Sequence, residues 1–175
     1  MDDSADAAMQ EAPHGDMPQR GNDEARPSPN AYAGQTIGTT NVMISYGRPA
    51  VRGREIYGTL VPYGEVWRTG ANEATVFHVS DDVQIEGQSL PAGTYGLFTI
   101  PTEDGWTIIF NNVAEQWGAF NYDASQDALR VDVMSEEAPV VEQMAFWFDD
   151  VDATSGTVVL SWAGVQVPFT IEVDG

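Results

Sequence analysis

The stretch TVVLSWAGVQVPFTIEV, Thr157 to Val173, constrains the fold more than any other part of the chain. Val165, Val167, Phe169, Ile171 and Val173 recur at every second position, with Gln166, Pro168, Thr170 and Glu172 between them. A period of two is the signature of a half-buried strand. Val158, Leu160 and Trp162 repeat it upstream, and Ala163-Gly164 between the runs predicts a tight hairpin. Pro168 cannot donate to a ladder, so the second strand is expected at an edge or with a bulge.

The same reading gives strands at Val42–Tyr46, Ala74–Val79, Val83–Glu86, Thr94–Ile100, Trp106–Asn111, Leu129–Met134 and Val141–Phe148. TEDG (102–105) and EGQSLPAG (86–93) read as turn signals. NNVAEQWGAF (111–120) has room for one helical turn, and no long helix is expected. About nine short strands at roughly 8–12-residue spacing predict an all-β fold, a single antiparallel β-sandwich of jelly-roll-like or immunoglobulin-like type. Phe98, Trp106, Phe110, Phe146, Phe148, Trp162 and Phe169 are its expected core aromatics.

The sandwich is expected over residues 31–175. Residues 1–30 read as a disordered acidic leader, rich in acids and proline and without an aromatic. They lack the basic start and apolar run of a signal peptide, and no apolar run in the chain approaches the roughly 18 residues of a membrane span. The leader suits a protein tethered to an envelope after export, so a periplasmic or cell-envelope location, with its signal removed, is expected ahead of a cytoplasmic one.

Charge narrows the function classes. The chain carries 27 acidic residues against 7 basic ones, a formal net charge of −20, and every basic residue is Arg. Such a surface repels nucleic acid, which is not an expected partner. It also suits high salt, where screening removes self-repulsion. The absence of Cys excludes disulfides, thiolate metal sites and cysteine nucleophiles. No G-x-S-x-G, P-loop lysine or dinucleotide glycine fingerprint occurs. Asp149–Gly156 (DDVDATSG) does not fit a regular calcium loop and reads as an acidic hairpin turn. No metal and no cofactor are expected.

Three constellations remain. Arg48, Arg52, Arg54 and Arg68 form a positive island in an acidic chain, either a patch for a small anion or a set of internal partners for Asp and Glu. Glu73, just before a strand, is a candidate base and equally a salt-bridge partner for Arg68; the pairing is the expectation adopted. His78 is a candidate base or a hydrogen-bonded strand residue. Trp117, Asn121 and Tyr122, with Phe120 and Gln116, suit a polyol-binding surface or a loop plugging one end of the sandwich.

SYGRP (45–49), VRGREIYG (51–58), LVPYGEVWRTGANEAT (60–75), LPAGTYGLFTIP (90–101), WTIIFN (106–111) and QWGAFNYD (116–123) together resemble the bacterial domain-of-unknown-function family 2911, over about residues 32–148. The resemblance implies an all-β domain and frequent export, in some members as a lipoprotein. The family's signature positions map onto Arg48, Arg54, Tyr63, Trp67, Arg68, Gly70, Asn72, Glu73, Trp117 and Tyr122, without a catalytic assignment. Arg52 stands where Lys is expected in many relatives. Arg48, Arg54, Tyr63, Trp67, Arg68, Asn72, Trp117, Asn121 and Tyr122 are therefore the candidate ligand-binding residues. The expected function is a non-enzymatic envelope module for a small anionic or polyol ligand or a protein partner. The rival is a hydrolase or isomerase with Glu73 or His78 as base and Arg68 as electrostatic clamp.

Overall fold

A computed structural model describes residues 17–21 and 25–174. Two antiparallel sheets pack face to face as a β-sandwich. The first runs in the order β1-β2-β3-β6-β7-β8: β1 Asn30–Ile37, β2 Thr40–Gly47, β3 Thr75–Val79, β6 Gly93–Pro101, β7 Gly105–Asn111 and β8 Asp127–Met134. The second runs β10-β11-β12-β4-β5: β10 Ala145–Asp149, β11 Ser155–Trp162, β12 Val165–Glu172, β4 Val83–Ile85 and β5 Gln88–Leu90. A two-residue β9, Glu136–Glu137, also pairs with β12. Most neighbours are consecutive in the chain; the β4–β5 hairpin crosses to the second sheet and lets β3 pair with β6.

Inward-facing residues of both sheets form one core, with Ile44, Phe77, Leu97 and Phe110 meeting Leu160, Val167, Phe169 and Ile171. Of the expected core aromatics, Trp106, Phe110, Phe146, Trp162 and Phe169 lie in it, and Phe148 is half-buried against it. Phe98 is completely buried elsewhere. It sits with Ala74 and Ile109 in a second cluster that Val66, Ala119 and Tyr122 cover. Phe98 and Ile109 are register partners, one step from the core pair Leu97 and Phe110, so alternation turns them to the outer face of the first sheet.

All nine expected strands are present, with ends moved by a few residues. Three more, β1, β5 and β9, were not expected. EGQSLPAG is more than a turn: Glu86-Gly87, both with positive φ, turns β4 into β5 within it. The β11–β12 hairpin closes as expected on Ala163 and Gly164, at φ 56° and 84°. β12, however, is an interior strand. Two residues past Pro168, the Thr170 amide donates to Glu86 Oε2 and its carbonyl accepts from Glu86 N. By alternation Pro168 faces the same side, in the gap between β9, which ends against Gln166, and β4, which begins against Ile171. Its missing donor therefore removes nothing from the β11 ladder. No helical turn forms in 111–120; a single 3₁₀ turn follows at Ala124–Gln126, its Ser125 amide capped by the Asp123 carboxylate. The acidic run at 149–156 is the β10–β11 turn, where Asp152 Oδ1 accepts from the Thr154 and Ser155 amides.

Much of the leader falls outside the described residues, namely 1–16 and 22–24. Arg20 and Arg26 belong to the segment read as leader, yet they pack on the domain: Arg20 is 1% exposed.

Candidate functional site

Val66 to Thr75 makes an excursion from the first sheet. Trp67 pairs with Thr99 of β6 (N–O 2.8 and 3.0 Å), the chain leaves, and it returns as β3 with Thr75 opposite Leu97. Thr69 and Asn72 hold positive φ, 61° and 66°. For a β-branched residue such backbone costs about 1–2 kcal/mol, so the surroundings must enforce it. They do: Thr69 is fully buried, its hydroxyl lies 3.1 Å from that of Thr99, and its carbonyl accepts from Thr75 Oγ1 at 2.7 Å. Gly47 passes so close that a Cβ there would lie 2.4 Å from the Ala71 carbonyl. Trp67 closes that end of the core, stacked on Trp162 and edge-on to Trp106 and Tyr57.

The expected Arg68–Glu73 pair does not form. Glu73 faces the N-terminal segment and takes a bidentate pair from Arg26, at 2.6 and 3.0 Å. Arg20 Nη2 lies 3.7 Å from Glu73 Oε1 and donates to the Ala71 and Glu73 carbonyls; Nη1 donates to that of Ala74. Asn72 Nδ2 ties the same turn to the Ser28 carbonyl. The Arg26 hydrogen bonds hold the Glu73 carboxyl below its ordinary value, with Arg20 adding to them against the effect of burial. Burial lowers the Arg20 guanidinium to about 10, partly offset by Glu73. Sequence reading missed both arginines because the composition around them signalled disorder.

Among the described residues Arg48, Arg52, Arg54 and Arg68 do not pair with the protein's carboxylates. Arg48 donates to the Met144 carbonyl, Arg54 to those of Ala50 and Val51, and Arg52 to that of Pro27. Among the described residues none of these, nor Arg68, has a carboxylate within ion-pair distance. The Arg68 guanidinium has no hydrogen-bond partner among them, and its Nε is buried. Burial lowers its pKa. It lies beneath the 116–120 loop, its Nη1 3.6 Å from where a Gly118 Cβ would stand. It is also near enough to Arg20 for the two charges to repel. Arg20 and Arg26 thus share the Glu73 carboxylate, with Arg68 close to Arg20.

The 112–122 loop is tied to the excursion. Ala74 N donates to the Gln116 carbonyl and Gly118 N to that of Asn72, with a Glu73–Trp117 bridge between them. Tyr122 is structural: its ring packs on Phe98 at 5.1 Å, and its hydroxyl bonds Asp127 and Arg130. Trp117 and Phe120 stay exposed, at 56% and 83%. Asn121 is exposed beside them. The loop thus covers the outer face of the first sheet through Tyr122, while Trp117 and Phe120 face solvent.

Other candidates lie apart. Tyr63 is folded over Gly58. His78 Nδ1 is 2.8 Å from Thr94 Oγ1 on the neighbouring strand. A cavity of about 230 Å³ opens beside Glu73, lined by residues 18–20, Glu73, Ala74, Val76 and 114–117. Arg48, Tyr63 and His78 do not line it. Among the described residues no group of three or more His, Asp or Glu could hold a metal ion, and no helix is long and apolar enough to cross a membrane.

The molecule is thus an all-β sandwich bearing a loop platform on the outer face of one sheet, with a cation under it that is unmatched among the described residues and a small cavity beside it. Its sequence matches the family model described as Protein of unknown function (DUF2911) over residues 28–171, and the chain belongs to that family. The match takes in β11 and nearly all of β12, beyond the part expected from the motifs. No curated protein and no solved structure matches the chain.

Proposed function

We propose that the domain is a non-catalytic binding module that holds a small anion at Arg68, under the loop carrying Trp117 and Phe120. The observation that carries this reading is Arg68 itself. It is a partly buried guanidinium with a buried, unpartnered Nε in a chain with acids to spare. Removing a cation from water without a counter-ion costs several kcal/mol, and an anionic ligand repays that cost with a charge-assisted, bidentate contact.

Catalysis by Glu73 is disfavoured. A carboxylate held ionised by two arginines is a weak base at neutral pH. His78 lies outside the platform's cavity. Export to the cell envelope and adaptation to high salt belong to the same proposal. They rest on the family resemblance and on the net charge of −20, respectively.

Thermal-shift and calorimetric titrations with phosphate, sulfate and short dicarboxylates, at fixed ionic strength, test the reading. Saturable binding of at least one anion, weakened at least tenfold in Arg68→Gln and kept in Arg54→Gln, is expected. Absence of binding across the panel, or equal binding by Arg68→Gln, overturns it.

A further inference from the structure

Phe120 is the most exposed large hydrophobic side chain among the described residues, at 83%. A single exposed apolar residue is ordinary on a folded surface. Phe120 is set apart by its neighbour. A Cβ on Gly118 would stand 3.2 Å from the Phe120 ring and 3.6 Å from Arg68 Nη1, so ring and guanidinium flank one point. Gly118 itself holds φ 63°, a left-handed turn that glycine takes without strain, and the ring folds against it. The guanidinium is presented end-on. Its Nε is buried, whereas Nη1 and Nη2 stay within reach of solvent, and none of the three has a partner among the described residues.

We propose that Arg68 and Phe120 together take an organic carboxylate with an apolar body of several carbons, an aryl or short alkyl acid. This rests on the anion reading of Arg68 and narrows it. With Nε buried, the open fork is the Nη1 and Nη2 pair, whose N–H groups match the two oxygens of a planar carboxylate. An inorganic anion satisfies that fork and leaves the Phe120 ring in water. A carboxylate with an apolar body satisfies the fork and also covers the ring, so apolar area on both leaves water. The charge pattern sets the orientation. Glu115 and Asp123 bracket the loop, but from Gln116 to Tyr122 it carries no charge. The anionic end is therefore drawn to Arg68, and the apolar end lies on an uncharged surface.

The test is titration of the full chain with acetate, phosphate, hexanoate and phenylacetate at one ionic strength, read by calorimetry and by ¹⁵N shifts. Hexanoate or phenylacetate is expected to bind at least tenfold more tightly than acetate. Phe120→Ser should remove that preference while leaving the weaker binding of acetate and phosphate as it is. Arg68→Gln should weaken all four at least tenfold. Phe120→Ser alters an exposed side chain, so the fold is not at stake in it. Equal binding of acetate and both larger acids, binding of phosphate alone, or a preference kept in Phe120→Ser overturns the proposal and leaves the anion reading standing. Absence of binding by all four overturns both.

Discussion

Gly47 and Glu73 show why the family signature is so dense. The Ala71 carbonyl stands where a Gly47 side chain would begin, at 2.4 Å from its Cβ position. Gly47→Ala therefore forces backbone apart, and a loss of roughly 2 kcal/mol is expected, a Tm fall of about 4–8 °C in a melt. Glu73 is fixed by Arg26 and Arg20, so Glu73→Gln leaves a buried Arg20 charge less compensated and is expected to cost about 2 kcal/mol at pH 7. The sign with pH follows from the lowered native pKa. The carboxylate's contribution is fully present above its ordinary value of 4.5 and is lost as pH falls through the lower native value. The stability gap between wild type and Glu73→Gln should stay constant from neutral pH to about 5 and close below about 4. Denaturant melts across that range decide it; a gap unchanged at pH 3 contradicts the assignment.

At the scale of elements, the Ala163-Gly164 turn needs positive φ at both residues, which Ala supplies at a cost. Ala163→Gly is expected to stabilise the β11–β12 hairpin by about 0.5 kcal/mol, read as a small rise in Tm; a fall would mean that the lost methyl contact outweighs the strain. The long interior strands were legible because each alternates cleanly. β1 was not: NAYAGQTI carries small or polar residues at most positions, and its outward side is exposed in alternation as an edge strand's is. β5 and β9 have three and two residues, too few to show a period. The run of Arg48, Arg52, Arg54 and Arg68 along the chain was legible, since rarity in an acidic chain is a property of sequence. The partners of Glu73 were not, because Arg20 and Arg26 lie 53 and 47 residues away in a stretch whose composition argues against order. Deleting residues 1–21 tests that strap: loss of the Arg20 bonds to three carbonyls should cost roughly 3 kcal/mol. An unchanged Tm would show that the strap contributes nothing to the fold.

The whole molecule joins a neutral core to an acidic surface carrying a net charge of −20. If that surface is adapted to salt, Tm should rise by several degrees between dilute buffer and molar KCl as repulsion is screened. A flat response removes that reading without touching the fold. On this acidic body the loop platform concentrates positive charge and leaves Arg68 unmatched among the described residues, which is the basis for reading it as a binding surface. The most direct measurement is the Arg68 Nε–H resonance in a ¹⁵N correlation spectrum, assigned by its loss in Arg68→Gln and followed during titration with phosphate or a dicarboxylate at constant ionic strength. A saturable shift of that resonance, with slowed exchange of its proton, is the predicted result. A resonance that stays in place while every anion of the panel is added would contradict the account.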